Sequence, residues 1–338
     1  MPVIVHAADP HPFLPSLGDP AAIAADRAAH QDIRPIEIAI INLMADKQAT
    51  ERQLAQWLGH TPLQIRLTFA ATDEYVRDVH RGRETKNTPA EHIRKFYSAF
   101  SDIKARKFDG LIVTGVNALK PTVAEEDFWP DVQAILDWSN TNVLSSLFLC
   151  WGAKAALRHF HGIESYKGTQ KTWGVFPHRL VSDKTKLLFG FPDFFPVPVS
   201  RWKNPRREDI LAQKKLEIVA DSEETGPNMI VEAGMYDDNA PYPRRVFILN
   251  HPEYETDSLK SEYLRDRGLD PAARTPLHYF PGDDSSRPPI NTWRHTAVVY
   301  ANWIRLIYEA TPYNLNDIPR PWSRPQPLDP SEPHARYA

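Results

Sequence analysis

Four short apolar runs, separated by stretches of helical periodicity, limit what this chain can fold into. Residues 36–43 (Ile-Glu-Ile-Ala-Ile-Ile-Asn-Leu) are apolar and β-branched without a helical period, so they read as a buried strand. Residues 63–69 alternate polar and apolar and give a second strand, residues 109–115 a third ending in a glycine turn, and residues 144–149 a fourth. Between the first two, an acidic residue and Thr50 precede Leu54, Trp57 and Leu58 at helical spacing, which predicts a helix over 47–58. Thr88-Pro89-Ala90-Glu91 predicts another helix start, with Thr88 as cap and Glu91 at the capping-box offset. Residues 127–138 are again helical in pattern. This order predicts an α/β fold, a doubly wound, mostly parallel sheet flanked by helices.

The fourth run stops at Cys150, the only cysteine, and Trp151-Gly152-Ala153-Lys154-Ala155-Ala156-Leu157 then favours helix. A strand turning sharply into a helix sets its turn residue at the carboxyl edge of the sheet, above the helix N-terminus. That setting lowers a thiol pKa and leaves N–H groups free for an oxyanion. The competing reading is an inert buried thiol, because cysteine is among the most buried residue types.

The flanking regions set the organisation. Residues 1–35 are rich in Pro, Ala and Asp and read as an N-terminal arm; residues 36–317 read as a single α/β domain, and 318–338 as a Pro-rich tail. Residues 70–90 are strongly charged and read as an exposed loop, whereas 258–267 and 293–308 predict helices. In 189–198, Phe and Pro crowd together, which disfavours both helix and central strand. Further short strands are expected at 216–220, 229–232 and 245–250. A net charge of −3 over 338 residues leaves no electrostatic footprint for nucleic acid. One cysteine excludes an intrachain disulfide framework and a cysteine-cluster zinc site, and no metal is expected. With no signal-peptide pattern at the N-terminus and no apolar run long enough to span a bilayer, the expectation is a cytoplasmic protein without a membrane partner.

A second strand end carries His251 and, two residues on, Glu253. Open α/β sheets place their active sites at the carboxyl edge, so Cys150 and His251 would share that edge if their strands are parallel. Thiol catalysis needs a base within reach and a third group to orient it, roles that His251 and Glu253 can fill. A strand-end capping histidine and a solvated carboxylate are the alternatives.

Several separated motifs resemble the homoserine O-acyltransferase family, whose members transfer succinyl or acetyl groups on a class I glutamine amidotransferase-like fold. They are Gln31-Asp32-Ile33-Arg34-Pro35, Ile41-Asn42-Leu43-Met44 with Lys47, Lys86-Asn87-Thr88-Pro89-Ala90-Glu91-His92, and Phe108 through Gly115. Leu149-Cys150-Trp151, His251-Pro252-Glu253-Tyr254, Tyr279-Phe280-Pro281 and Thr311-Pro312-Tyr313 complete the set. The resemblance implies that Cys150 forms an acyl-thioester, His251 acts as general base and Glu253 orients it. It implies that Lys171, Ser200 and Arg265 line the amino-acid site, with Arg265 facing the substrate carboxylate, and that Lys47 lies near the active site. For Lys47 a solvated first-turn position is the alternative. Acyl-CoA is implied as co-substrate, with no permanently bound cofactor, and a homodimer is suggested. The Trp151 N–H and one from the Thr114-Gly115 turn are the candidate oxyanion donors.

The chain also departs from the family pattern. Leu119 stands where succinyl-transferring members usually carry Gly and acetyl-transferring members Glu. Its bulk would crowd a succinyl chain and it offers a distal carboxylate no partner, which points to acetyl. Gly115-Val116-Asn117-Ala118 replaces the usual Gly-Ala-Pro turn; Trp173 replaces a Ser, Val199 replaces a His, and two residues are missing after Asp266. The expectation is an O-acyltransferase acting on homoserine in methionine synthesis. Serine O-acetylation, a glutaminase-type thiol amidohydrolase and a non-catalytic relative are the alternatives.

Overall fold

A computed structural model of the chain describes residues 3–5, 22–25, 34–118, 120–182, 185–232 and 242–318. Leu119, the residues beyond 318 and part of the Gln31-to-Pro35 motif lie outside the described residues. Within them, β1 (Val3–Val5), β2 (Ala22–Ala24) and β3 (Ile36–Ile41) precede α1 (Lys47–Leu58), β4 (Ile65–Ala71), α2 (Asp73–His80) and α3 (Ala90–Phe96). Next come β5 (Ser98–Ala99), α4 (Phe100–Ile103), β6 (Phe108–Val113), α5 (Trp129–Asn142), β7 (Val143–Leu149) and α6 (Trp151–His161). The chain continues through β8 (Ser165–Leu180), β9 (Phe194–Pro205), α7 (Arg207–Leu211), β10 (Leu216–Ser222), β11 (Gly226–Glu232) and β12 (Arg245–Ile248). It closes with α8 (Ser258–Leu269) and α9 (Val298–Ala310).

All these strands form one sheet in the order β2-β1-β4-β3-β6-β7-β12-β11-β10-β8-β9, with β5 beside β4. From β2 to β12 every neighbour is parallel. Beyond β12 the pairings become antiparallel. The α/β sheet expected from the strand–helix alternation is therefore present, with an antiparallel extension added to its far side. The two faces separate cleanly along β3. Ile36, Ile38 and Ile40 pack in one buried cluster with Leu54 and Leu58 of α1 and Trp303 and Ile307 of α9. Ala39 and Ile41 pack in another with Val132 and Ile135 of α5 and Ala153 and Leu157 of α6. Period-two alternation thus feeds helices on both faces.

Two sequence expectations change. Residues 73–80 form α2 rather than an exposed loop: Asp73 and Glu74 occupy its first turn, and Val76 and Val79 are buried three apart. The charged residues between them face water, which hid the single apolar stripe. Thr88 does not cap its own helix, where Pro89 holds the cap position without a side-chain bond. Its hydroxyl instead accepts the N–H of Lys47 at 3.0 Å and donates to the Ala45 carbonyl at 3.0 Å, so it closes the start of α1. The Phe/Pro-rich segment enters β9, the last strand of the sheet, where missing N–H donors cost no interior ladder bond.

One glycine sets how closely α6 can approach β6. A Cβ on Gly152 would stand 2.6 Å from the Val113 carbonyl oxygen and 2.7 Å from that of Thr114. Both contacts are to backbone, which cannot swing aside. Gly152→Ala is expected to cost about 1–3 kcal/mol as overpacking, read as a lowered urea midpoint with unchanged slope. A midpoint matching the parent would show that α6 can retreat.

Candidate active site

β7 and β12 are parallel neighbours, with Leu149 opposite Ile248, so Cys150 and the segment after β12 leave the sheet at the same edge. The Cys150 N–H still donates to the Ile248 carbonyl at 2.7 Å, which pins the last residue of the strand. The next residue starts α6, and Cys150 bridges the two with φ 49° and ψ −108°. That backbone is strained for a residue with a Cβ, on the order of 1–3 kcal/mol, and persists because β7 and α6 fix it on both sides. Residues 147–152 are therefore the sharp strand-to-helix elbow expected from the sequence.

His251 reaches the elbow from β12. Its imidazole lines the same cleft as the Cys150 thiol and acts on it electrostatically, while Nδ1 donates to Glu253 Oε1 at 2.8 Å. The other Glu253 oxygen accepts from the Tyr300 hydroxyl of α9 at 3.0 Å. The His251 ring stacks on Tyr254 with centroids 4.2 Å apart, and the His251 backbone N–H donates to the Pro198 carbonyl at 3.1 Å. Thiol, imidazole and carboxylate are thus buried together, with the ring orientation fixed by Glu253. Burial alone would raise the thiol, but the charges of His251 and Lys154 override it and bring Cys150 below the ordinary thiol range. Burial likewise pulls His251 down, and the Cys150 and Glu253 charges reverse this and raise it well above the usual histidine value. Both shifts favour a thiolate beside an imidazolium.

Cys150 and His251 line a cleft of about 790 Å³. On one side of Cys150, the loop after β6 approaches so closely that a Cβ on Gly115 would be 3.1 Å from Cys150 Cβ and 3.6 Å from the Trp151 nitrogen. Glycine leaves that space for a reacting carbonyl. Trp151 is the first residue of α6, where helix N–H groups lack intrahelical acceptors. On the other side, Lys171, Ser200 and Arg265 also line the cleft. A family model described as Homoserine O-succinyltransferase matches residues 14–313.

The chain belongs to the homoserine O-succinyltransferase family. It is an acyltransferase of that family, and its relatives agree. It is 43% identical over 294 residues to the homoserine O-acetyltransferase of Desulfitobacterium hafniense (strain DSM 10664 / DCB-2), covering 86% of this chain and 91% of the relative. It is 45% identical over 294 residues to the homoserine O-acetyltransferase of Novosphingobium aromaticivorans, covering 87% and 91%. Among solved structures, a glutamine amidotransferase from Thermotoga maritima is similar with a TM-score of 0.47 at 14% identity, covering 82% of this chain and 97% of that one.

The structure adds two carboxylates to the residues that the family resemblance implied. Glu262 and Asp266 lie one helical turn apart on α8. Ser200 Oγ donates to Glu262 Oε2 at 2.5 Å, and the Tyr254 hydroxyl donates to Oε1 at 2.6 Å. Lys171 Nζ reaches Asp266 Oδ2 at 2.9 Å and Glu262 Oε2 at 3.4 Å, and sits 3.9 Å from the Trp173 ring centroid. Arg265, half-exposed, turns its fork onto Asp266 Oδ1 at 2.7 and 2.9 Å. The cluster therefore offers both charges to a zwitterion, whereas the sequence reading named only its cations and hydroxyl. Carboxylates at i and i+4 on a predicted helix beside Arg265 were the available signal. Trp173 is a buried part of the cleft wall, packed on Tyr263, and Val199 is buried in β9.

Lys47 is not a solvated lysine. It is 3% exposed, and its ammonium donates to the Asn42 carbonyl at 2.6 Å and the Met44 carbonyl at 3.1 Å, over the Tyr75 ring. Burial pushes it down to about 7. Met44 lines the cleft, so Lys47 braces one wall from behind. Among the described residues no group of three His, Cys, Asp or Glu side chains is placed to hold a metal ion, and no helix is long and apolar enough to cross a membrane.

Proposed function

We propose that this chain moves an acetyl group from acetyl-CoA to the hydroxyl of L-homoserine through an acyl-cysteine on Cys150. The observation that carries the reading is continuity. The Cys150–His251–Glu253 relay opens into the same cleft as a cluster bearing both carboxylates and cations. The thiolate attacks the thioester carbonyl, a C–S bond forms, and the carbonyl electron pair moves to oxygen near the Trp151 N–H and Gly115. Collapse breaks the bond to the CoA sulfur, which takes the proton held by His251. The acceptor hydroxyl then gives its proton to His251 as its oxygen attacks the acyl-cysteine, and collapse returns the thiolate. In the cluster, Glu262 suits the amino acid's ammonium and Arg265 its carboxylate. The product would feed methionine synthesis.

The acetyl donor rests on the bulk of Leu119 and on the names of the relatives. Intact-mass measurement after mixing with acetyl-CoA or succinyl-CoA tests the first half-reaction. One acetyl group added at Cys150, discharged by homoserine, is the expected result. Succinyl loading would reassign the donor, discharge by serine but not homoserine would reassign the acceptor, and no adduct from either donor would sink the covalent route. Glutamine hydrolysis without CoA would instead support an amidohydrolase.

A further inference from the structure

Lys154 stands four residues past the nucleophile, where the helical period brings a side chain back over the elbow. Its N–H donates to the Cys150 carbonyl at 3.2 Å, and its side chain lines the Cys150 cleft. It is 7% exposed, and among the described residues no carboxylate pairs with its ammonium, which borders the cleft. Lysine is almost never this buried unless paired. Arg201, on β9 and 4% exposed, compounds the imbalance. Its terminal nitrogens donate only to the carbonyls of Thr225 at 2.5 Å and Pro227 at 3.4 Å, and its Nε meets no partner.

Among the described residues, two buried cations that no carboxylate pairs with therefore border the Cys150 cleft. Among the described residues, the charges acting on Lys154 are those of Cys150 on its own elbow and of Arg201 and Lys203 on β9; His251, the exposed Glu224 and the partly exposed, already bonded Glu262 and Asp266 line the same cleft. Glu253 is already bonded to His251 and Tyr300. The remaining buried group able to carry negative charge beside Lys154 is the Cys150 sulfur.

We propose that Lys154 is an electrostatic positioning residue for Cys150, keeping the thiol ionised at rest and holding negative charge near the elbow as it moves during acyl transfer. The second part rests on the acyltransferase reading; the first does not. In that sequence the charge passes from the Cys150 sulfur to the thioester carbonyl oxygen and then to the departing CoA sulfur, each formed within the cleft that Lys154 lines. Burial lowers the Lys154 ammonium, the Cys150 charge raises it again, and Arg201 and Lys203 push it down. Lysine and thiol therefore ionise as a coupled pair, each stabilising the other's charged form.

Iodoacetamide alkylation of Cys150 against pH, on the full chain without substrates, separates this role from a structural one. Lys154→Met keeps the apolar stem and removes the charge. It is expected to move the alkylation midpoint up by about one pH unit, roughly a tenfold slower reaction below it. Lys154→Arg is expected to restore the parent midpoint. If the methionine variant does not fold, Lys154→Gln replaces it. A neutral variant with parental circular dichroism and a parental midpoint would overturn the proposal. Single-turnover acylation by acetyl-CoA then tests the second part: the neutral variant should slow acylation, and a parental acylation rate would overturn it. If even the parent accepts no acyl group from any CoA thioester, the acyltransferase reading fails while the alkylation result stands.

Discussion

Cys150→Ala is expected to reduce acyl transfer by on the order of 10⁴–10⁶-fold, the loss seen when a nucleophile acting with its base is removed. The substitution deletes only the sulfur. An alanine Cβ meets the same strained backbone at φ 49°, so the fold and the cleft should remain. The acceptor should still bind, because Glu262, Asp266 and Lys171 hold one another independently of the elbow. Steady-state turnover with acetyl-CoA and homoserine, together with binding of homoserine by calorimetry, measures both halves. Near-parental turnover would defeat any covalent mechanism at this cysteine. Cys150→Gly provides a control on strain: glycine accepts positive φ, so it should be more stable than the alanine variant by about 1 kcal/mol, although equally inactive.

The second large effect is on stability and lies at the opposite end of β6. Asp109 is fully buried and accepts both terminal nitrogens of Arg34, at 2.8 and 2.9 Å, the Glu37 N–H at 2.7 Å, and the Thr311 hydroxyl. Arg34 also donates to the Pro312 carbonyl at 3.0 Å, so one carboxylate ties the start of β3 to the segment after α9. Removing it leaves a mostly buried guanidinium without a countercharge and the Glu37 N–H without its acceptor. Asp109→Ala is expected to lose about 3–5 kcal/mol of unfolding free energy in urea titration, with Asp109→Asn losing less because it keeps an acceptor. A loss within about 1 kcal/mol would mean that water replaces the carboxylate at no more than the cost of an ordinary hydrogen bond. This node also gives a physical reason for three separated stretches that carried the family resemblance, around Arg34, Asp109 and Thr311. Arg34, Asp109 and Thr311 meet in space, and none of the three lines the cleft.

Legibility in the sequence followed the range of the interaction. The strand at 36–43 and the helix at 47–58 were readable because burial on a sheet or a helix face imposes a local period. Asp73–His80 was missed because its apolar stripe is only two residues wide, and Thr88 was misassigned because its hydroxyl serves another helix. The long antiparallel pair β8 and β9 left no clear period, since residues 165–172 are mostly exposed and the paired strand is interrupted by proline.

By itself, the sequence determined the α/β alternation and the abrupt passage from apolar strand to helix at Cys150, and it offered Cys150, His251 and Glu253 as candidates for nucleophile, base and orienting acid. Only the tertiary structure decided that β7 and β12 are neighbours, which brings His251 to the thiol. It also brought Tyr300 onto Glu253 from the last helix, set Glu262 and Asp266 against Lys171 and Ser200, and left Lys154 and Arg201 buried without carboxylates. Periodicity reports which face of an element is buried, but it carries no record of what lies across that face. Charge compensation in a closed site depends on groups that meet only once the sheet has formed, and that is where the character of Cys150 is set.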